Sequence, residues 1–209
     1  MFGVIALVTV ITAPTPFATP SAAINLSDIH TIYCAYSGGI YQGTAFVIAK
    51  GVLATANHVT EGTHCFDATA NKPVKAYKTD KRHDFALFTG NIDANGPYIK
   101  YSCQRPTPGD YYISYGWSAA GLKDFFNPIL RNNVIQATNK FDTKPNDVPG
   151  FLNAVGMRYY NGAIAEGTSG GPVATMDGTV LAVNNAGTNE DTVDYDLADT
   201  GLCTGKWDA

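Results

Sequence analysis

The chain has 209 residues, a formal net charge of −4, 45% hydrophobic residues and 15% charged residues. So few charges, against roughly 25% in an average soluble domain, exclude a disordered, charge-solvated chain. The acidic balance also excludes the clustered basic face of a nucleic-acid binder, which leaves a neutral-to-acidic folded protein of one domain or two small ones.

Residues 2–11 form an apolar run that is too short for a bilayer, which takes about 20 residues. Pro14, Pro16 and Pro20 follow, then Ser21-Ala22-Ala23, a small-x-small pattern suited to signal cleavage. The expectation is a signal peptide over 1–23 and a mature chain that is secreted, periplasmic or extracellular, with no stable membrane association after cleavage. The leader departs from the usual pattern in having no Lys or Arg, the first being Lys50. Cys34, Cys65, Cys103 and Cys203 allow three pairings and would be oxidised in such a compartment. His58, His64 and Cys65 lie close in sequence but match no zinc-ligand spacing, so no metal and no cofactor are expected.

From there the chain alternates short β-branched and aromatic segments with Gly, Asn, Asp and Pro. Strands are predicted over 31–36, 43–49, 52–55, 64–68, 74–78, 85–88, 111–115, 134–137, 154–159, 173–176 and 180–184, with Lys50-Gly51 as a tight turn. No window holds a sustained helical period; 56–61 and 197–202 each allow one helical turn. Three prolines, Pro97, Pro106 and Pro108, mark a connector that divides the chain into two halves rich in strands. The expected layout is a first β-domain over 24–98, a connector over 99–108, and a second β-domain with its tail over 109–209. Many short strands with regular turns point to an all-β barrel or sandwich architecture.

Late in the chain, Gly167-Thr168-Ser169-Gly170-Gly171-Pro172 sets a serine among glycines. Glycine permits the tight bend that exposes backbone amides. A serine there can attack a carbonyl if a base takes its proton and N–H groups hold the oxyanion. All four histidines, His30, His58, His64 and His83, precede Ser169. That removes the α/β-hydrolase order, in which the histidine comes last. The subtilisin order, Asp then His then Ser, would need Asp28 as the acid and a parallel-sheet pattern that is absent, so the order His, Asp, Ser survives. His58 follows the apolar segment Leu53-Ala54-Thr55-Ala56-Asn57, the placement a general base needs. Asp84 heads the strand Phe85-Ala86-Leu87-Phe88, where a carboxylate can orient the imidazole and stabilise its cation.

The blocks Gly43-Thr44-Ala45-Phe46-Val47-Ile48, Leu53 to Val59, Asp84-Phe85-Ala86-Leu87 and Gly167 to Pro172 resemble the trypsin-like, chymotrypsin-fold serine peptidases. Their style is nearer the bacterial HtrA-type domains than the digestive enzymes. The segment 109–116 resembles the opening strand of that family's second barrel, and 180–187 the strand beside the substrate.

The resemblance implies two six-stranded antiparallel β-barrels of chymotrypsin type with the active site between them. It also implies polypeptide substrates, no nucleic-acid partner and a serine endopeptidase working through an acyl-enzyme. His58 would be the base, Asp84 the orienting acid, Ser169 the nucleophile, and the N–H groups of Gly167 and Ser169 the oxyanion hole. Ala163, Asn184, Asn185 and Ala186 would line the substrate pocket; an uncharged Ala163 does not support cleavage after Lys or Arg.

Three departures from the digestive enzymes stand out. Thr168 replaces the acid before the serine that pairs with a freed N-terminus. Val59 replaces the cysteine after the histidine, which leaves Cys34–Cys65 and Cys103–Cys203 as the pairings the family frame favours. A PDZ-bearing protein is not expected at this length. Two other readings stay open here: a triad-bearing fold that serves as a binding module, and an esterase or other acyl hydrolase on the same fold.

Overall fold

The computed structural model describes residues 24–92, 96–119, 125–142, 156–160, 166–187 and 191–207. The leader expected over 1–23 and the pocket residue Ala163 lie outside the described residues. Among the described residues, no helix is long and apolar enough to cross a membrane.

The architecture is mostly β. Six strands come first: β1 (Ile29–Tyr36), β2 (Gly39–Ala49), β3 (Val52–Ala56), β4 (His64–Asp67), β5 (Lys72–Asp80) and β6 (Phe85–Gly90). They close into an antiparallel barrel in the order β1-β2-β3-β6-β5-β4. Its strands bury Ile29, Ile32, Phe46, Leu53, Phe85 and Phe88 fully. Each such side chain removed from water contributes roughly 1.5–3 kcal/mol.

A second sheet holds β7 (Tyr111–Ser118), β8 (Ile129–Asp142), β9 (Gly156–Tyr160), β10 (Pro172–Ala174), β11 (Val180–Gly187) and β12 (Asp191–Asp196). Its order is β10-β11-β12-β9-β8-β7, and β10 also pairs with β7 through Val173 and Ala174. The connector lies along β11: Ser102 N–H donates to Val180 C=O at 2.9 Å, and Val180 N–H to Lys100 C=O at 2.9 Å. The expected helical turns are short: 3-10 helices over Asn57–Thr60 and Leu197–Asp199, and an α-helical turn over Gly201–Thr204.

Two disulfides are present, Cys34–Cys65 and Cys103–Cys203, closing sequence separations of 31 and 100 residues. The first joins cross-strand neighbours of β1 and β4; the second ties the connector to the C-terminal turn. By loop-closure entropy they contribute roughly 4 and roughly 5 kcal/mol through the unfolded state.

Strand β12 was not expected from the sequence. Its residues Asp191-Thr-Val-Asp-Tyr-Asp196 are rich in aspartate, which strands disfavour, yet Asp194 and Asp196 are buried. Burial pushes the Asp196 carboxyl from 3.8 up to about 7, the nearby Asp199 charge adding to the rise and Arg105 opposing it. Neither Asp196 oxygen has a hydrogen-bond partner among the described residues.

A carboxyl whose folded pKa exceeds its unfolded one releases its proton more readily when the chain unfolds. Stability therefore falls as pH rises from about 4 to about 7 and is level above that. At 1.36 kcal/mol per pH unit the loss is on the order of 4 kcal/mol. The stability of Asp196→Asn relative to the parent should accordingly grow across this window, measured by urea unfolding at pH 4, 5.5 and 7.5. A constant difference would show that Asp196 ionises normally.

Candidate active site

Strand register brings His58 and Asp84 together. Ala56, the last residue of β3, pairs with Phe85, the first of β6. The chain leaving β3 and the chain entering β6 therefore sit side by side at one end of the barrel. Asn57 N–H donates to Asp84 C=O at 2.8 Å and locks the two ends. Asp84 has φ 45°, in the left-handed region that aspartate tolerates better than bulkier residues. From there its carboxylate accepts twice from one residue: His58 Nδ1–H at 2.6 Å and His58 N–H at 2.8 Å. The imidazole is thereby fixed with its proton on Nδ1, which leaves Nε2 as the acceptor.

The turn before Asp84 is itself braced. Asp80 is buried and accepts from His83 Nδ1–H at 2.9 Å, His83 N–H at 3.2 Å and Gly201 N–H at 2.7 Å. His30 forms a further buried pair, Nδ1 to Asp67 at 2.5 Å, inside the first barrel and within a different part of the sheet.

That loop, which leads into β10, is anchored on β2. Thr44 N–H donates to Ser169 C=O at 2.8 Å, and Thr44 Oγ1–H donates to Gly167 C=O at 2.8 Å. Thr44 Oγ1 also accepts from Trp117 N–H at 2.9 Å, so this one buried threonine joins the two sheets. The loop reaches the end of β3 as well: a Cβ placed on Gly170 would stand 3.0 Å from Ala56 N and would collide with Thr44 C=O and the Thr55 hydroxyl. Only glycine fits there, which packs the residue after Ser169 against the end of β3, two residues before His58.

Gly167 has φ 91°, a conformation strained for any residue with a Cβ. Among the described residues, neither Gly167 N–H nor Ser169 N–H donates to a backbone carbonyl, whereas Gly170 N–H is bound to Asn184 C=O at 2.7 Å and Gly171 N–H to Thr168 C=O at 3.0 Å. The amides of Gly170 and Gly171 are thus used by the fold. The Ser169 hydroxyl donates to Asn185 C=O at 3.1 Å.

The pocket residues separate. Asn184 is fully buried; its amide donates to Tyr115 C=O at 2.9 Å and Thr168 C=O at 3.5 Å and accepts from Ser114 Oγ–H at 2.8 Å. It braces the serine loop from inside the second sheet. Asn185 touches the serine through its carbonyl, and Ala186 continues β11 opposite Val193. The sequence reading did not single out Thr44 or Gln42, whose amide lies against Gly167. Thr44 was visible only as part of an apolar strand block.

The protein-family model for a trypsin-like peptidase domain matches residues 43–183, a span containing His58, Asp84 and Ser169. Two curated relatives are similar, each described as a probable periplasmic serine endoprotease DegP-like. The one from Marinomonas sp. (strain MWYL1) is 29% identical over 150 residues, covering 68% of this chain and 29% of the relative. The one from Chlamydia pneumoniae is 28% identical over 151 residues, covering 69% of this chain and 28% of the relative. The matched part therefore spans less than a third of these relatives' length.

Among solved structures, the active form of the Rv3671c protease from M. tuberculosis superposes with a TM-score of 0.67 at 17% identity, covering 96% of this chain and 92% of that one. The HtrA-type protease AlgWS227A with tripeptide gives 0.67 at 16% identity, covering 86% and 60%. At these identities the likeness is one of fold.

Proposed function

Because the chain belongs to the trypsin-like peptidase domain family, we propose that it is a serine endopeptidase acting through His58, Asp84 and Ser169. The two sheets are read as the two six-stranded barrels of chymotrypsin type, with the site between them. The observation that carries the proposal is the pair of hydrogen bonds that Asp84 accepts from His58 at the barrel end against which the Ser169 loop is packed.

In this reading the Ser169 hydroxyl turns from Asn185 C=O to His58 Nε2. Oγ attacks the scissile carbonyl carbon as its proton passes to Nε2, and the carbonyl π electrons move onto oxygen. The Gly167 and Ser169 N–H groups receive that oxyanion. Its collapse breaks the C–N bond, and the leaving amine takes the proton from His58. Water then repeats the sequence on the acyl-enzyme, with His58 as base and Ser169 as leaving group. Asp84 keeps the imidazole oriented and offsets its positive charge throughout.

Thr168 N–Cα–C spans the two amides without an acidic side chain, so the loop is held by Thr44 and Asn184 instead of by a freed N-terminus. The substrate's acyl half is assigned to the edge of β11 at Asn185 and Ala186. Polypeptides are the substrates and the compartment is periplasmic or extracellular, in keeping with the periplasmic relatives and the oxidised cysteines.

The test is digestion of an unfolded, disulfide-free polypeptide, with fragments identified by mass. Internal cuts are expected, and hydrolysis of simple esters without any peptide cleavage would favour the acyl-hydrolase reading instead.

A further inference from the structure

The outer face of the first barrel carries a transverse row of side chains that ends at the serine loop. Tyr33 on β1 pairs with Gln42 on β2 and with Phe66 on β4. Cross-strand partners share a face, and the flanking Ile32 and Cys34 are wholly buried on the opposite one. Phe66, Tyr33 and Gln42 therefore stand in line on the outside, each about 5 Å from the next.

At the Gln42 end the row runs into Gly167. A Cβ at that glycine would lie 2.7 Å from Gln42 Cδ, Nε2 and Oε1 alike, so the amide lies face-on over the Gly167 α-carbon. In the middle, a segment from between β7 and β8 folds across the row. Tyr33 Oη–H donates to Phe125 C=O at 2.6 Å, and the Tyr33 ring lies 5.5 Å from the Phe125 ring and 5.8 Å from the Phe126 ring. Phe125 and Phe126 meet edge to face at 5.0 Å.

Phe126 is nonetheless 70% exposed and Phe66 39% exposed. The cluster is held in place by a hydrogen bond yet covers little of its own apolar surface. Contiguous exposed apolar surface of this kind marks a binding face. None of its five residues carries a formal charge.

We propose that Tyr33, Phe125 and Phe126 form a recognition surface for a large apolar or aromatic side chain on the leaving-group side of the scissile bond, within its first three residues. The proposal rests on the peptidase reading of Ser169. The side follows from that reading: the acyl half is assigned to β11, where Asn185 C=O takes the Ser169 hydroxyl, whereas the row meets the serine loop at Gly167, against Gln42. The reach follows from length. One strand spacing from Gln42 to Tyr33 and a ring width beyond it total about 10 Å, which an extended peptide at roughly 3.3 Å per residue covers in three residues.

The test uses internally quenched peptides that share one acyl-side sequence and carry Phe, Leu, Ala, Asp or Lys in turn at each of the first three leaving-side positions. A small ester with no leaving-side peptide reports the serine chemistry alone. For the parent, Phe or Leu at one position should raise kcat/KM about tenfold over Ala, with Asp below Ala. Phe126→Ala, a change at an exposed ring, should reduce that preference to within twofold of Ala and leave ester turnover unchanged.

Equal rates across the series with normal ester turnover would overturn the recognition surface and leave the peptidase reading intact. Loss of both peptide and ester turnover in the parent would remove both. A change of oligomeric state in Phe126→Ala, with the peptide preference unaltered, would assign the patch to a second copy of the chain and likewise overturn the proposal.

Discussion

Replacing Ser169 by alanine is expected to lower kcat by about 10⁶-fold while KM and thermal stability stay close to the parent's. The size follows from what the residue supplies: without Oγ no acyl-enzyme forms, and loss of the nucleophile in comparable triads costs about that factor. The stability expectation follows from the geometry. The hydroxyl makes one hydrogen bond, to Asn185 C=O, worth on the order of 1 kcal/mol. The loop itself is held by main-chain bonds that alanine keeps, from Thr44 N–H to Ser169 C=O, Gly170 N–H to Asn184 C=O and Gly171 N–H to Thr168 C=O. Steady-state kinetics on a peptide, with a melting curve on the same sample, checks both halves. A variant retaining a tenth of parental activity would place the nucleophile elsewhere.

The second large effect is at Asp84. Asp84→Asn should lower kcat by about 10⁴-fold, with KM little changed. Aspartate accepts from both His58 Nδ1–H and His58 N–H, whereas an amide offers one acceptor and one donor. One of the two contacts must then place N–H against N–H, or the imidazole must move its proton to Nε2 and lose its power to accept from Ser169. The backbone gives no reason for unfolding, since asparagine is at least as tolerant of φ 45° as aspartate. Kinetics separated into kcat and KM, with the melting temperature as control, reads the outcome. A drop confined to stability would make Asp84 a structural turn residue.

Much of this arrangement was legible in the sequence because it depends on local pattern. The β-branched and aromatic runs marked eleven of the strands, and the order of histidines, aspartate and serine selected one arrangement of the site. What was hidden depends on neighbours far away in the chain. β12 escaped because Asp194 and Asp196 look like surface residues until the fold buries them. Asn184, expected as a pocket wall, spends its side chain on Ser114, Tyr115 and Thr168, partners that only strand pairing brings near. Thr44 carries no signal of its own. Its importance comes from standing where β2 meets both Gly167 and Trp117. The row of Phe66, Tyr33 and Gln42 is likewise a matter of register, since Gln42 and Phe66, about 9 and 33 residues from Tyr33 in sequence, become its neighbours only across paired strands.

The same distinction holds for the amides of the serine loop. Glycine at 167 and the serine at 169 suggest a tight turn, but which N–H groups stay open is decided by the acceptors that claim the others. Asn184 C=O and Thr168 C=O take Gly170 and Gly171.

The most direct measurement is labelling of the folded protein with a fluorophosphonate, followed by digestion and mass mapping of the adduct. The account predicts one phosphonyl group, on Ser169, formed in the parent and absent in Ser169→Ala. Absence of any adduct on the folded parent, or its appearance on another residue, would contradict it.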